Sequence, residues 1–185
     1  TSFWRLGSSI LGYDSQTGRD VPMVNEEALF ADDDFRQAQA VPRTYGFHAT
    51  LKAPFALATG KTEASLIDHL QAFCLKQPQC AIGTLEVAML GQFAALRPAG
   101  DLTAVNDLAA ACVREFDEWR APLTSIDRSR RIASGLSPRQ ILALETWGYP
   151  YVLGEFHFHM TLTGPLPARL HGTALDTLGQ LFNGH

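Results

Sequence analysis

Two segments of the sequence share one pattern built around a histidine and a threonine. Phe47 to Pro54 is FHATLKAP and Phe158 to Pro165 is FHMTLTGP, so Phe, His, Thr, Leu and Pro recur at the same places. Both segments alternate apolar and polar residues between Gly or Pro, which predicts strands. Because the side chains of a strand alternate between its two faces, each segment is expected to present its histidine and its threonine together.

The chemistry that suits such a pair is acid–base catalysis at phosphorus. In-line displacement needs one group to take a proton from the incoming water and another to protonate the departing alkoxide. Imidazole does both near neutral pH, and a threonine hydroxyl is able to donate to a non-bridging oxygen. We therefore predict His48 and His159 as the catalytic pair and Thr50 and Thr161 as phosphate ligands, with no metal or other cofactor.

Two other interpretations of the histidines remain open. The first is that both are structural residues on half-buried strands. The second is a zinc site, in which His157 and His159, two residues apart on a strand, join His48. A third His-x-Thr match, His171-Gly-Thr173, lacks the flanking Phe and Leu and is attributed to chance.

Four arginines, Arg128, Arg130, Arg131 and Arg139, lie in or just after the polar stretch APLTSIDRSRRIASG, residues 121–135. They belong either to a solvated loop or to a lid whose guanidinium groups grip phosphate. Four further residues are predicted to line a groove between the two histidine segments: Tyr45, Lys52, His157 and Tyr149.

Three stretches carry a resemblance to a known group of enzymes. PRTYGFHATLKAPF, RRIASGL-SPRQ and WGYPYVLGEFHFHMTLTGPL resemble the two-histidine phosphoesterase superfamily, in its phosphonate-metabolism-operon-associated branch. The resemblance implies an α+β fold with two mostly antiparallel sheets, related by a pseudo-two-fold axis around a central groove, and helices outside. It implies one bilobal domain over 1–185, with a further strand expected before Trp4-Arg5-Leu6-Gly7. Because Arg131 followed by Ile132 resembles the family stretch, we favour Arg130 and Arg131 as phosphate-binding residues.

The activity implied by the resemblance is metal-independent hydrolysis of a small cyclic phosphodiester, a ribose or nucleoside cyclic phosphate, in phosphonate metabolism. Two alternatives stay open. One is an RNA 2′,3′-cyclic end-processing phosphodiesterase or ligase, and the other is a non-catalytic nucleotide- or phosphate-binding module.

Hydrophobic periodicity and end signals predict the elements around these segments. A capping box formed by Ser137 and Gln140, with Pro138 at the first helical position, begins one helix, and Gly148 ends it. The stretch NEEALFADDDFRQAQA is expected to form one or two helical turns. The spacing of apolar residues predicts helices over 61–77, 101–119, 138–147 and 170–182, and a hairpin of strands over 81–90 and 92–98.

Composition limits the partners of the chain. Its 185 residues carry a formal charge of −4, which argues against a protein that binds along long nucleic acid, because neutralising phosphates requires a basic surface. Short nucleic-acid ends are the only nucleic-acid ligands that we expect. Three cysteines fit no CxxC spacing and are expected to be reduced, which indicates a cytoplasmic protein. No apolar run is long enough to span a bilayer, so a membrane partner is not expected. A small cyclic phosphate is the expected ligand, and the sequence leaves the oligomeric state open.

Overall fold

The computed structural model describes residues 2–24 and 28–184, and the fold is α+β with two small antiparallel sheets. The helices are α1 (Ser2–Leu11), α2 (Ala28–Ala31), α3 (Asp33–Arg43), α4 (Glu63–Lys76), α5 (Thr103–Glu115), α6 (Ser125–Ile132), α7 (Pro138–Trp147) and α8 (His171–Phe182). The strands are β1 (Tyr13–Asp14), β2 (Arg19–Asp20), β3 (Thr84–Leu90), β4 (Phe93–Ala99) and β5 (Met160–Thr161).

Elements with clear end signals lie where the sequence predicts them. The capping box at the start of α7 is formed by Ser137 and Gln140, and Gly148 ends the helix with a left-handed φ of 75°. Thr62 and Ser65 form a second capping box at the start of α4. In each box a side chain satisfies an amide that the helix leaves without a partner, so the signal is local and can be found in the sequence.

The larger sheet has the order β3-β4-β5, and its two long strands form the predicted hairpin. Leu90 pairs with Phe93, and Gly91 turns the chain with a φ of 62°. The short strand β5 pairs antiparallel with β4, with Thr161 opposite Ala95. The hairpin is therefore the support on which the second His-x-Thr segment lies.

The prediction that both His-x-Thr segments are full strands is wrong. In Phe47–Pro54 only Ala49 pairs, through an isolated antiparallel bridge to Met160. The second segment contains the two-residue strand β5 and is otherwise irregular. Proline and glycine end both segments, and proline cannot donate to a ladder, so the alternating pattern covers only a few extended residues.

Two other stretches differ from their sequence-based expectation. The Arg-rich stretch over 121–135 contains α6, which begins at a Thr124 cap whose hydroxyl accepts from the amide of Asp127. The stretch NEEALFADDDFRQAQA forms α2 and most of α3, which is more helix than expected. Its first three residues, 25–27, lie outside the described residues.

The chain divides into two compact units, and each has its own apolar core. Unit 1 comprises residues 1–50, 83–100 and 159–185, and unit 2 comprises residues 51–82 and 101–158. The core of unit 1 surrounds Phe47, which is fully buried, and the core of unit 2 surrounds Phe116 and Trp119. Both sheets belong to unit 1. Among the described residues, no helix has the length and apolar character needed to cross a bilayer.

Candidate functional site

The turn after α3 sets the position of His48. The amide of Gly46 donates to the carbonyls of Pro42 at 3.1 Å and Arg43 at 3.2 Å, which closes the end of the helix. Gly46 has a φ of 70°, and a Cβ atom there would lie 2.7 Å from the Cβ of Ser15. Both the left-handed backbone and the close contact require glycine at this position.

The imidazole of His48 is fixed at both nitrogens. Its Nδ1 lies 2.9 Å from the Gly46 carbonyl oxygen, and its Nε2 lies 3.1 Å from the Thr50 hydroxyl. Because a carbonyl only accepts, the proton is on Nδ1, and in the neutral ring Nε2 accepts from Thr50. The ring therefore directs its basic nitrogen toward the hydroxyl of its own His-x-Thr motif.

The bridge between Ala49 and Met160 determines how the two motifs meet. In an antiparallel register, this pair sets His48 across from Thr161 and Thr50 across from His159. The two motifs thus run in opposite directions on one face, and the two histidines are diagonal neighbours, roughly 7 Å apart at Cβ. We name these four residues the His–Thr face.

A cavity of about 230 Å³ adjoins one end of the His–Thr face. His48 and Thr161 line it, together with Tyr45 in the turn after α3 and Phe93 at the start of β4. The ring of Phe93 also lies against His159, with 5.9 Å between the ring centroids. One member of each motif therefore reaches the cavity, and all of these residues belong to unit 1.

The segment after Thr161 fixes the floor of the cavity. The hydroxyl of the fully buried Thr163 accepts from the amide of Ala94 at 2.9 Å and donates to the carbonyl of Gly164 at 2.8 Å. Gly164 in turn donates its amide to Ala38 of α3 at 2.9 Å. Thr163 is thus engaged in holding β5 to its neighbours, and Thr161 is left to face the cavity.

The predicted residues Arg130, Arg131 and Tyr149 belong to unit 2. Arg130 is paired with Asp127 at 2.8 Å, and the guanidinium carbon of Arg131 lies 5.0 Å from the ring centroid of Tyr149. Burial raises the pKa of Tyr149, and the charge of Arg131 partly offsets that effect. His157, also in unit 2, is exposed.

Lys52 does not share the surroundings of His48, contrary to the prediction from strand alternation. Its ammonium donates to the carbonyl of Val113 at 3.0 Å and lies 3.9 Å from Asp117, within unit 2. Burial lowers the pKa of Lys52, and nearby Arg120 adds to that effect while Asp117 opposes it. Alternation fails here because the extended segment pairs only at Ala49.

Sequence reasoning missed the apolar part of the cavity. Val41, Pro42 and Phe93 line it, and none of these three belongs to a motif that carries chemistry, whereas Pro165, which also lines it, ends the second His-x-Thr segment. The available signal was Gly46 after a helical stretch, since a glycine there predicts a helix end and hence a turn that brings preceding residues next to His48. Across residues 2–24 and 28–184, no group of three or more His, Cys, Asp or Glu side chains is placed to hold a metal ion.

The chain belongs to the family described as "Protein of unknown function (DUF1045)", whose model matches residues 50–185. Thr50, His159 and Thr161 lie inside the matched range, and His48 lies just before it. No solved structure matches the chain.

Two curated relatives carry the same name, "Ribose 1,5-bisphosphate phosphokinase PhnN". The protein from Janthinobacterium sp. (strain Marseille) is 45% identical over 124 residues, which is 67% of this chain and 27% of the relative. The protein from Laribacter hongkongensis (strain HLHK9) is 38% identical over 164 residues, 89% of this chain and 37% of the relative. The chain thus spans about a third of these relatives or less.

The expectation that the chain is a cyclic phosphodiesterase is wrong. Both relatives are named as a phosphokinase, which is a transferase and not a phosphoric diester hydrolase. The His–Thr face and its cavity therefore need an interpretation that does not depend on ring hydrolysis.

The sequence of this chain does not contain the phosphate-binding loop of many kinases. That loop has the pattern G-x-x-x-x-G-K-[ST], and although Gly60-Lys61-Thr62 matches its end, Phe55 stands where the first glycine is required. The ammonium of Lys61 lies 4.2 Å over the ring of Trp119 and 3.1 Å from Glu118. Lys61 is thus engaged with side chains of unit 2, and we assign no phosphoryl transfer to this loop.

Proposed function

We propose that this chain is a phosphate-ester-binding module of phosphonate metabolism, and that its His–Thr face binds the phosphate of a phosphorylated ribose compound. In this proposal His48 and His159 bind the anion in their imidazolium form and donate to it from two sides. Once Nε2 of His48 carries a proton, it no longer accepts from the Thr50 hydroxyl, which is then available to the anion. Thr50 and Thr161 donate their hydroxyls to its oxygens. The proposal keeps the two-histidine arrangement and gives it a binding role.

The observation that carries the proposal is the antiparallel bridge between Ala49 and Met160 beside an open cavity. This bridge supports the inference that two imidazoles and two hydroxyls lie on one face, and these groups are donors suited to a phosphate group. The name of the relatives refers to a ribose bisphosphate, which agrees with a phosphorylated ribose as the ligand.

The test is a calorimetric titration with ribose 5-phosphate. Hydrogen bonds to charged groups contribute about 1.5–3 kcal/mol each, so His48→Gln and Thr161→Val should each weaken binding by roughly tenfold or more. The matched controls are His171→Gln and Thr173→Val in α8, because these residues have the same His-x-Thr spacing outside the cavity. The controls should bind as the unmodified chain does.

Two results would overturn the proposal. One is that the unmodified chain fails to bind ribose 5-phosphate at millimolar concentration. The other is that the His48 and Thr161 variants bind as tightly as the controls.

A further inference from the structure

The side of the cavity formed by α3 is apolar and open to solvent. Val41 is 63% exposed and Tyr45 is 66% exposed, and both line the cavity beside His48. Exposing two large apolar side chains together is unfavourable unless something covers them, and such patches commonly mark binding sites. The patch is on the wall of the same cavity that the His–Thr face adjoins.

The charges in the cavity are too few to hold a phosphate group strongly. None of the described residues that line the cavity is Lys or Arg, and His48 is the one among them whose side chain is able to carry a positive charge. Small-molecule sites of this kind obtain most of their affinity from apolar contact and use polar groups to orient the ligand. The organic part of the ligand should therefore contribute much of the binding.

The shape of the wall favours a flat ring. Two aromatic side chains, Tyr45 and Phe93, line the cavity, and aromatic rings bind other flat rings by stacking or by edge-to-face contact. A second cavity, of about 320 Å³, shares Val41 and Pro165 with the first and continues along α3 past Gln37 to Asp34. The two cavities offer space for a ring beyond the phosphate.

Resting on the proposed function, we propose that the ligand is a phosphate or phosphonate compound whose organic part carries a flat aromatic ring. Tyr45 is the residue that determines this specificity. The ring lies against Tyr45 and Val41 while the anion lies on the His–Thr face. A bare pentose phosphate fills only the polar part of the site.

The experiment compares ligands that share the anion and differ in the ring. Adenosine 5′-monophosphate, phenyl phosphate and phenylphosphonate are titrated beside ribose 5-phosphate into the unmodified chain, Tyr45→Ala and Tyr45→Phe. Stacking of a ring on an aromatic side chain contributes about 1–3 kcal/mol, so the ring-bearing compounds should bind the unmodified chain about tenfold more tightly than ribose 5-phosphate does. Tyr45→Ala should abolish that preference, and Tyr45→Phe should retain it.

The outcomes separate this proposal from the one on which it rests. If ribose 5-phosphate binds and the ring adds no affinity, or if Tyr45→Ala keeps the preference, the ring specificity is overturned while phosphate binding stands. If none of the four compounds binds, both proposals fall. A preference for adenosine 5′-monophosphate alone identifies a nucleotide as the source of the ring, and an equal gain for the phenyl compounds identifies a general aryl site.

Discussion

At the scale of single residues, the site depends on Gly46. This glycine closes α3, and its carbonyl oxygen accepts the Nδ1 proton of His48. A hydrogen bond at one ring nitrogen sets the tautomer and leaves the other nitrogen available as an acceptor. A residue with no side chain therefore determines which nitrogen of His48 faces Thr50.

We expect Gly46→Ala to destabilise the chain more than Gly18→Ala does. Both glycines have a left-handed φ, near 70°, so alanine costs about 1–2 kcal/mol of backbone strain at either position. Only at residue 46 does the new Cβ also meet a neighbour, Ser15, because nothing lies within 4 Å at residue 18. Urea unfolding of the two variants measures the difference, and equal losses would contradict the account of Gly46.

At the scale of elements, the cavity lies where the end of α3 meets the end of β5. Gln39 donates to the carbonyl of Ile10 at 3.3 Å, and Arg43 donates to that of Gly12 at 2.6 Å, so α3 is tied to the end of α1. On the other side, the amide of Gly164 is tied to Ala38. The shape of the cavity thus depends on α3 being held from both sides.

Gly164→Ala should break the second of these contacts. Its Cβ would lie 2.4 Å from the carbonyl oxygen of Ala38, and backbone atoms cannot rotate away as a side chain does. Overpacking of this kind costs typically 1–3 kcal/mol, and the displacement should also weaken ligand binding.

The matched control for Gly164→Ala is Gly179→Ala in α8, where nothing lies within 4 Å of the new Cβ. There alanine should stabilise the chain by about 0.5–1 kcal/mol, because glycine is a poor helix former. Thermal unfolding measures both variants. The explanation fails if the two substitutions shift stability in the same direction.

The elements that could be predicted from the sequence are those with strong local signals. The hairpin around Gly91 and α7 were predicted from a turn and a cap that lie within a few residues, and α4 was predicted from the spacing of its apolar residues. The signal for α6 was also local, since Thr124 followed by Asp127 is a cap pattern, but its arginines favoured a loop. The His–Thr face was predicted in part, since the shared face follows from alternation, whereas the register between Ala49 and Met160 depends on tertiary pairing.

At the scale of the whole molecule, the charged groups predicted for one groove divide between two units with separate cores. Lys52 is held in unit 2 by the carbonyl of Val113 and by Asp117. Its lowered pKa has a consequence for stability, because the folded chain disfavours the ammonium form. Between the folded pKa and the ordinary value of 10.5, the unfolded chain binds more protons, so stability rises with pH through that window.

Lys52→Met should remove this rise, since methionine keeps much of the apolar stem and does not titrate. We expect the free energy of unfolding of the unmodified chain, measured relative to that of the variant, to increase as pH increases toward 10.5. Urea unfolding at several alkaline pH values measures the gap. Taking the difference cancels much of the opposite contribution of Cys112, whose pKa is raised mainly by burial. A gap that stays constant with pH would show that Lys52 is not the cause.

The packing of Gly7 against Phe47 makes the first helix a constraint on the proposed ligand site. A Cβ atom on residue 7 would lie 2.3 Å from the ring of Phe47, the immediate neighbour of His48. Any larger side chain at residue 7 would have to be matched by a smaller one at residue 47, and an unmatched change would push the imidazole out of register with Thr161. Redesign of the ligand preference should therefore vary positions 7 and 47 as a pair.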